Sequence, residues 1–335
     1  ATGGTAVGGG VDYTLADGSV TIAANLDPPQ ATFDLAIVDD ILDEVDETVI
    51  ITLSSPTNST LGTTQLTYTI NDDDAQPSIA FTSDNFAASE ATTNGQFSLA
   101  LSGASGKEIT YGYTINAVTT TASDDGVDYT LTAGTNTISA GTAVSTIDFT
   151  VNDDALDEID EVLVVTLNTD AFVNVATTGS PLEATYTIQD DDNPPNIQFT
   201  NATGTMAEVD GIANVEVSIA SVSGKDVSVT VSDNLTGSAT ADSDYTVNGS
   251  AYTITAGQTT VNVPVNIPDD ESTEEEGDET VVLGLSGAAN STIVGNSTHT
   301  LTITDSDPVP TVVLTNATAT IGENVGNYTI NYNLD

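Results

Sequence analysis

The sequence predicts an all-β chain, a tandem array of small antiparallel β-sandwiches strung into an elongated form. Three observations carry that expectation. Segments recur with a period near 116 residues, apolar and polar residues alternate along short runs throughout, and no stretch sustains a 3.6-residue period.

The repeat comes first. "GVDYTLADG" at 10–18 returns as "GVDYTLTAG" at 126–134 and "DSDYTVNGS" at 242–250, which sets Asp12, Asp128 and Asp244 each 116 residues apart. "TYTINDDDAQP" at 67–77 returns as "TYTIQDDDNPP" at 185–195 and "TLTITDSDPVP" at 300–310. Lys107 and Lys225, the chain's two basic residues, share one repeat position in "SGKEIT" and "SGKDVS". Glu90, Glu208 and Glu323 mark the start of successive copies. Complete copies therefore span 76–192 and 193–307, residues 1–75 are the back of one copy, and 308–335 the front of another. Joined, the two ends would lack only the counterpart of about residues 103–116. A window from a longer array is the simplest account, and a subunit whose ends complete each other between neighbouring chains is the alternative.

The strands follow in chain order. "ATFDLAIV" at 31–38 alternates Phe33, Leu35 and Ile37 with other residues, and "STIDFTVN" at 145–152 does the same with Ile147, Phe149 and Val151. "EATYTIQ" at 183–189 and "NVEVSI" at 214–219 keep the period of two that turns one face inward. Pro264 interrupts "VNVPVNI" and predicts an edge strand, because proline cannot donate to a ladder. Turn residues arrive every eight to twelve positions, so about seven short strands fit each copy, the size of an immunoglobulin-like sandwich.

Charge narrows the function. Asp and Glu total 50 against two Lys and Arg, a net charge of −48, although only 16% of residues are charged. Such a surface repels nucleic acid and anionic lipid and attracts cations, which sets both polyanions aside as partners. No apolar run approaches the ~20 residues of a membrane helix, so no membrane insertion is expected in this segment. Cysteine is absent, which removes disulfides and thiolate metal sites. The Thr-, Ser- and Asn-rich, Lys-poor composition points to an extracellular, cell-surface setting.

The acids are clustered. "NDDALDEIDEVLVVTL" at 152–167 packs six carboxylates into nine residues, with counterparts at 38–53 and 268–285. Each copy sets acids at four points: the leading Glu, the Asp before Tyr, the Asp-Asp run with its trailing Glu residues, and the closing Asp triplet. Two of these points are strand exits, which strand polarity can bring to one end of a sandwich. Two like charges ~4 Å apart repel by ~4 kcal/mol at an effective dielectric of ~20. A hard cation relieves this, and Ca²⁺ suits an all-oxygen site better than Mg²⁺, since it accepts six to eight ligands in flexible geometry. A solvated acidic face is the plainer explanation of any single run. It accounts less well for acids that recur at matching places beside apolar strands. The six-position glycine of an EF-hand loop is missing from every run.

The combination of Asp-Tyr-Thr, an alternating strand, "NDDALDEIDEVLVVTL" and a final strand closing in Asp-Asp-Asp resembles the Calx-beta domain. That family includes regulatory domains of sodium/calcium exchangers and repeats of giant bacterial surface adhesins. The resemblance covers essentially the whole chain and implies several Ca²⁺ at one tip of each sandwich. Carried over by motif, the first copy's ligands would be Asp12, Asp39, Asp40, Glu44, Glu47, Asp72, Asp73 and Asp74, with no leading Glu. The second copy's would be Glu90, Asp128, Asp153, Asp154, Glu158, Glu161, Asp190, Asp191 and Asp192. The third copy's would be Glu208, Asp244, Asp269, Asp270, Glu276, Glu279, Asp305 and Asp307, and Glu323 would open the fourth set. The third copy departs from the pattern at Ser306, which replaces the middle Asp of the triplet, and by two extra residues in loop 271–277.

The function this implies is a calcium-stiffened stalk or filament segment of a large extracellular adhesin, with neighbouring repeats of the same or an adjacent chain as partners. A calcium-dependent module that recognises glycan or protein through exposed loops is the alternative, with Tyr111, Tyr113 and Tyr252 as its aromatic candidates. Alternating Tyr on a strand is more often sheet packing. An enzyme is not expected, because the same acids recur in every copy, and His299, in register with Leu301 and Ile303, is a sheet-lining residue.

Overall fold

A computed structural model of the chain describes residues 3–25, 27–124, 126–268, 277–306, 309–324 and 326–334. It is all-β apart from one turn of 3₁₀ helix at Glu208–Asp210. The chain divides into two compact units, Ala1–Asp153 with Asp160–Gln189, and Asp154–Ile159 with Asp190–Asp335.

In the first unit, residues of the second copy form two facing sheets. One has five strands in the order Gly134–Ile138, Ile109–Ile115, Glu161–Val173, Glu183–Gln189, Asn85–Ser89. The other has four, in the order Ile79–Phe81, Asn94–Leu101, Val144–Val151, Tyr129–Thr130. Alternation along Val144–Val151 buries Ile147, Phe149 and Val151, as the sequence predicts. Phe97 sits at the centre of an aromatic cluster, with ring centroids 5.4 to 5.8 Å from Phe81, Phe86, Phe149 and Tyr186. Rings at these separations and tilts gain beyond their buried area.

In the second unit, residues of the third copy repeat the plan. Thr203–Ala207, Thr298–Thr304, Glu279–Ala289, Val227–Asp233 and Ser250–Ile254 form one sheet in that order. Thr246–Val247, Thr260–Asn266, Ile212–Ile219, Asn196–Phe199 and Thr292–Ile293 form the other. The core between them is mostly valine and isoleucine, with Phe199 and Tyr245 as its aromatic members. His299 is buried opposite Leu283, with Nδ1 2.7 Å from the Asn201 carbonyl, so it lines the sheet as expected.

Two expectations change. The sandwiches are not purely antiparallel: in each complete copy the second strand pairs parallel with the closing strand, Ser89 opposite Gln189 and Ala207 opposite Thr304. Period-two alternation is the same for either direction, so the sequence pattern could not tell them apart. Pro264 lies one strand in from the edge, opposite Asn214. It is accommodated because the outermost strand, Thr246–Val247, reaches only Asn266 and Val265 and leaves the flank at Pro264 uncovered.

The partial copies are thinner. In the first, Glu47–Thr52 pairs with Gln65–Ile70, and Tyr13–Thr14 with Ala36–Ile37. The predicted strand 31–38 shrinks to its last few residues, with Phe33 and Ile37 exposed. Among the described residues of 1–75 no second sheet faces this strand, so its alternation is not buried. Near the chain end Val312–Leu314 pairs with Tyr332–Leu334.

Candidate metal centre

The Asp-Tyr pair explains how each tip is built. Tyr13, Tyr129 and Tyr245 are buried, which fixes the preceding Asp at the mouth of the sandwich. Asp12 then accepts the backbone N–H of Val7, Asp128 that of Ser123 and Asp244 that of Thr240, through Oδ2 each time. One oxygen of each thus closes a turn. The second Asp of each described Asp-Asp run also shapes its own loop: Leu42 N–H donates to Asp40 Oδ1 at 2.8 Å and Leu156 N–H to Asp154 Oδ1 at 2.7 Å. This local side-chain capping holds an acidic loop in a fixed turn.

The first copy gathers its acids most closely. Carboxylate oxygens of Asp12, Glu44 and Glu47 lie within 4.8 Å of one another. A cavity of about 120 Å³ is lined by these three with Asp39, Asp40, Asp72, Asp73 and Asp74, and no basic group is among its lining residues. All eight acids predicted for this copy thus line one cavity. Glu47 is pushed up to about 6, by burial first and then by hydrogen bonding to Asp12 and the charges of Asp12 and Glu44. Glu44 is raised too, by burial and then by Asp40, Asp12, Asp72 and Asp74.

The geometry fits a calcium ion. Oxygen ligands at 2.3–2.6 Å from one ion stand up to roughly 4.6–5.2 Å from each other, and these carboxylate oxygens all lie within 4.8 Å of one another. Asp12, Glu44 and Glu47 would hold the ion, with the surrounding acids completing an all-oxygen shell.

The third copy's tip is described in part. Glu208, Asp244, Glu279 and Asp305 line one cavity of about 70 Å³, with Ser243, Pro268, Gly277 and Ile303. Parallel pairing of Thr203–Ala207 with Thr298–Thr304 ends both strands at the same level and brings Glu208 to Asp305 and Ser306. Ser306 donates to Glu208 Oε1 through its N–H at 2.8 Å and faces it with its hydroxyl at 3.3 Å. Asp244 sits below the usual carboxylate range. Burial pushes it up, but the Thr240 N–H and hydrogen bonds with the Glu279, Ser243 and Thr240 side chains outweigh that. Asp269, Asp270, Glu276 and Asp307 lie outside the described residues.

The second copy's acids are divided between the two units. Glu90, Asp128, Asp153 and Glu161 belong to the first, with Glu90 buried and its N–H donating to the Gln189 carbonyl at 2.9 Å. Asp154, Glu158, Asp190, Asp191 and Asp192 belong to the second. Glu323 is exposed, and among the described residues no group of acids placed to hold a metal includes it.

Two acids that sequence reasoning passed over are the most buried of the described acids. Asp43 is 2% exposed and Asp157 3%, each paired with one of the lysines. The signal was available, since the two lysines share a repeat position and so do these two aspartates. The aromatic candidates for a recognition surface are used internally. Tyr111 is fully buried with its hydroxyl 2.7 Å from Ser145 Oγ, Tyr113 packs against the core, and Tyr252 donates to the Asn248 carbonyl.

Set against known families, residues 1–74, 72–192 and 190–307 each match the Calx-beta domain. The chain belongs to the Calx-beta family. No curated protein sequence matches it. Among solved structures, CBD12 from CALX1.2 is 17% identical over 68% of this chain and 99% of that one, with a TM-score of 0.33. The apo-form Calx CBD1 domain is 20% identical over 35% and 100%, with a TM-score of 0.31. The enterotoxigenic E. coli CFA/I adhesin CfaE is 10% identical over 70% and 87%, with a TM-score of 0.28. Among the described residues of this Calx-beta array, no helix is long and apolar enough to cross a membrane.

Proposed function

We propose that this Calx-beta array binds calcium at its sandwich tips and serves as a calcium-stiffened stalk or filament segment of a large extracellular, bacterial cell-surface adhesin. The observation that carries the reading is the first-copy cluster: three carboxylates at ion-sharing distance inside a pocket of eight acids with no base lining it. Burial and mutual repulsion make that arrangement costly without a cation, as the upward push on Glu47 reflects. Repetition of the motif along the chain supports a mechanical role more than a single recognition or catalytic event. The closing triplets run straight into the next copy through "DDDAQP" and "DDDNPP", so a cation bound there would act where one copy meets the next.

Titration of the chelated chain with Ca²⁺ and with Mg²⁺ in a calorimeter, paired with small-angle scattering in each state, tests this. Calcium is expected to bind in preference to magnesium and to lengthen and narrow the distribution of shapes, with far-ultraviolet circular dichroism nearly unchanged. Equal heats for the two ions, or identical scattering in calcium and chelator, would remove its basis.

A further inference from the structure

The chain's only two cationic side chains occupy the same place in successive copies and do the same thing. Lys107 Nζ lies 2.6 Å from Asp43 Oδ1 and 3.5 Å from Asp72 Oδ2. Lys225 Nζ lies 2.7 Å from Asp157 Oδ1 and 3.0 Å from Asp190 Oδ2. In both cases the lysine belongs to one copy and its partners to the copy before: the third acid of the acidic loop and the first Asp of the closing triplet.

The rest of the loop follows suit. Ser105 Oγ is 3.0 Å from Asp43 Oδ2, and Ser223 Oγ 3.1 Å from Asp157 Oδ2, with both serines 1% exposed. Gly106 N–H donates to the Asp43 carbonyl at 2.9 Å and Gly224 N–H to that of Asp157 at 3.0 Å. A side chain at either glycine would collide with the next acid, since a Cβ would stand 2.7 Å from Glu44 Cγ or 2.8 Å from Glu158 Cγ. The serine carbonyls accept from Gly141 and Gly257 of their own copies, which braces each loop from behind. Ser, Gly and Lys are therefore each required by a contact, and the contact is made twice.

We propose that the Ser-Gly-Lys loop of each copy is a docking element whose partner is the Asp-Asp-x-x-Asp-Glu loop of the preceding copy, and that this clasp joins consecutive copies without calcium. A chain so short of basic residues keeps them where a buried carboxylate must be neutralised. The clasp also grips the base of the acidic loop and the start of the closing triplet, so it holds the tip from outside while a cation would hold it from within. It stands independently of the calcium-stiffening reading, because the fixed ammonium is present whether or not an ion is bound.

Absence of cysteine makes the test direct. Spin labels on Ala117→Cys and Thr236→Cys, both exposed, report the distance between equivalent loops of the second and third copies. In chelator the otherwise unaltered chain should give one distance peak, which calcium narrows further, and Lys225→Met should lose that peak to a broad distribution. Asp157→Asn should do the same, and the double variant should be no broader than either single one, the mark of a shared contact. Circular dichroism and the parallel Lys107→Met variant, labelled across the first two copies, keep the result readable if one variant unfolds. A broad distribution in chelator before any clasp mutation, or a sharp peak in Lys225→Met, would overturn the clasp. A peak unaltered by calcium in every variant would instead count against calcium stiffening and leave the clasp standing.

Discussion

The tips of the first and third copies are built from the same motif and differ in how their carboxylates are answered. In the first, Asp12, Glu44 and Glu47 crowd together, and both glutamates are raised, Glu47 to about 6. In the third, Thr240 N–H holds Asp244 low and Ser306 donates to Glu208. Asp12 accepts Val7 N–H just as Asp244 accepts Thr240 N–H, so the contrast lies at the glutamates: at Glu44 and Glu47 the strain of burial and repulsion is left for a cation or a proton to relieve. Where the chain supplies donors, part of that repulsion is already gone. Acid count alone is therefore a poor guide to cation affinity, and the number of donors aimed at the acids matters as much.

The largest difference should come from removing charge at the crowded tip. Glu44→Gln with Glu47→Gln is expected to delete at least one calcium from the calorimetric stoichiometry. It should also lower the calcium-dependent gain in stability by roughly 2–3 kcal/mol, the worth of a ligand at about 100-fold over its Kd. Asp244→Asn at the third tip should weaken binding less, because that residue already spends one oxygen on Thr240. Equal losses from the two changes would erase the contrast.

Proton linkage gives a second, smaller separation. Glu47 binds its proton more tightly in the folded chain than its ordinary value of 4.5 implies. In chelator the first tip should thus gain stability as pH falls from 7 through about 6, with the gain complete below the unfolded value. The reverse holds for the lowered Asp244, whose contribution is present above its ordinary 3.8 and is lost only as pH falls below that. Calcium binding at pH 6 should therefore release about half a proton from Glu47. Calorimetry in buffers of different ionisation enthalpy reads this, and Glu47→Gln should abolish it. A release that survives the substitution would place the titrating group elsewhere.

Much of this was legible in the sequence. The period, the four acidic points and the inward faces of Val144–Val151, Glu183–Gln189 and Ile212–Ile219 follow from spacing and alternation alone. Direction of pairing did not, since Asn85–Ser89 would alternate equally well beside either neighbour. Asp43 and Asp157 look like any other acid in a charged run; the repeat position they share, matched by that of the two lysines, was the available sign, and the approach of a lysine from the next copy gives it meaning.

The smallest expected effect sharpens the comparison from the other side. Ser306→Asp restores the closing triplet of the third copy but replaces a donor to Glu208 with a third carboxylate at the same spot. In chelator the substitution should be mildly destabilising, by roughly 0.5–1 kcal/mol, since a hydroxyl's hydrogen bond to a carboxylate is exchanged for like-charge repulsion at a partly solvated site. In calcium the sign should reverse, because an added oxygen ligand and an added charge both favour the ion. The readout is the difference in melting temperature between Ser306→Asp and the parent chain, measured in chelator and again in saturating calcium. A change of sign between the two conditions is the predicted result. If the aspartate is destabilising in both, the third tip holds no cation near Glu208, and donors rather than ions neutralise it.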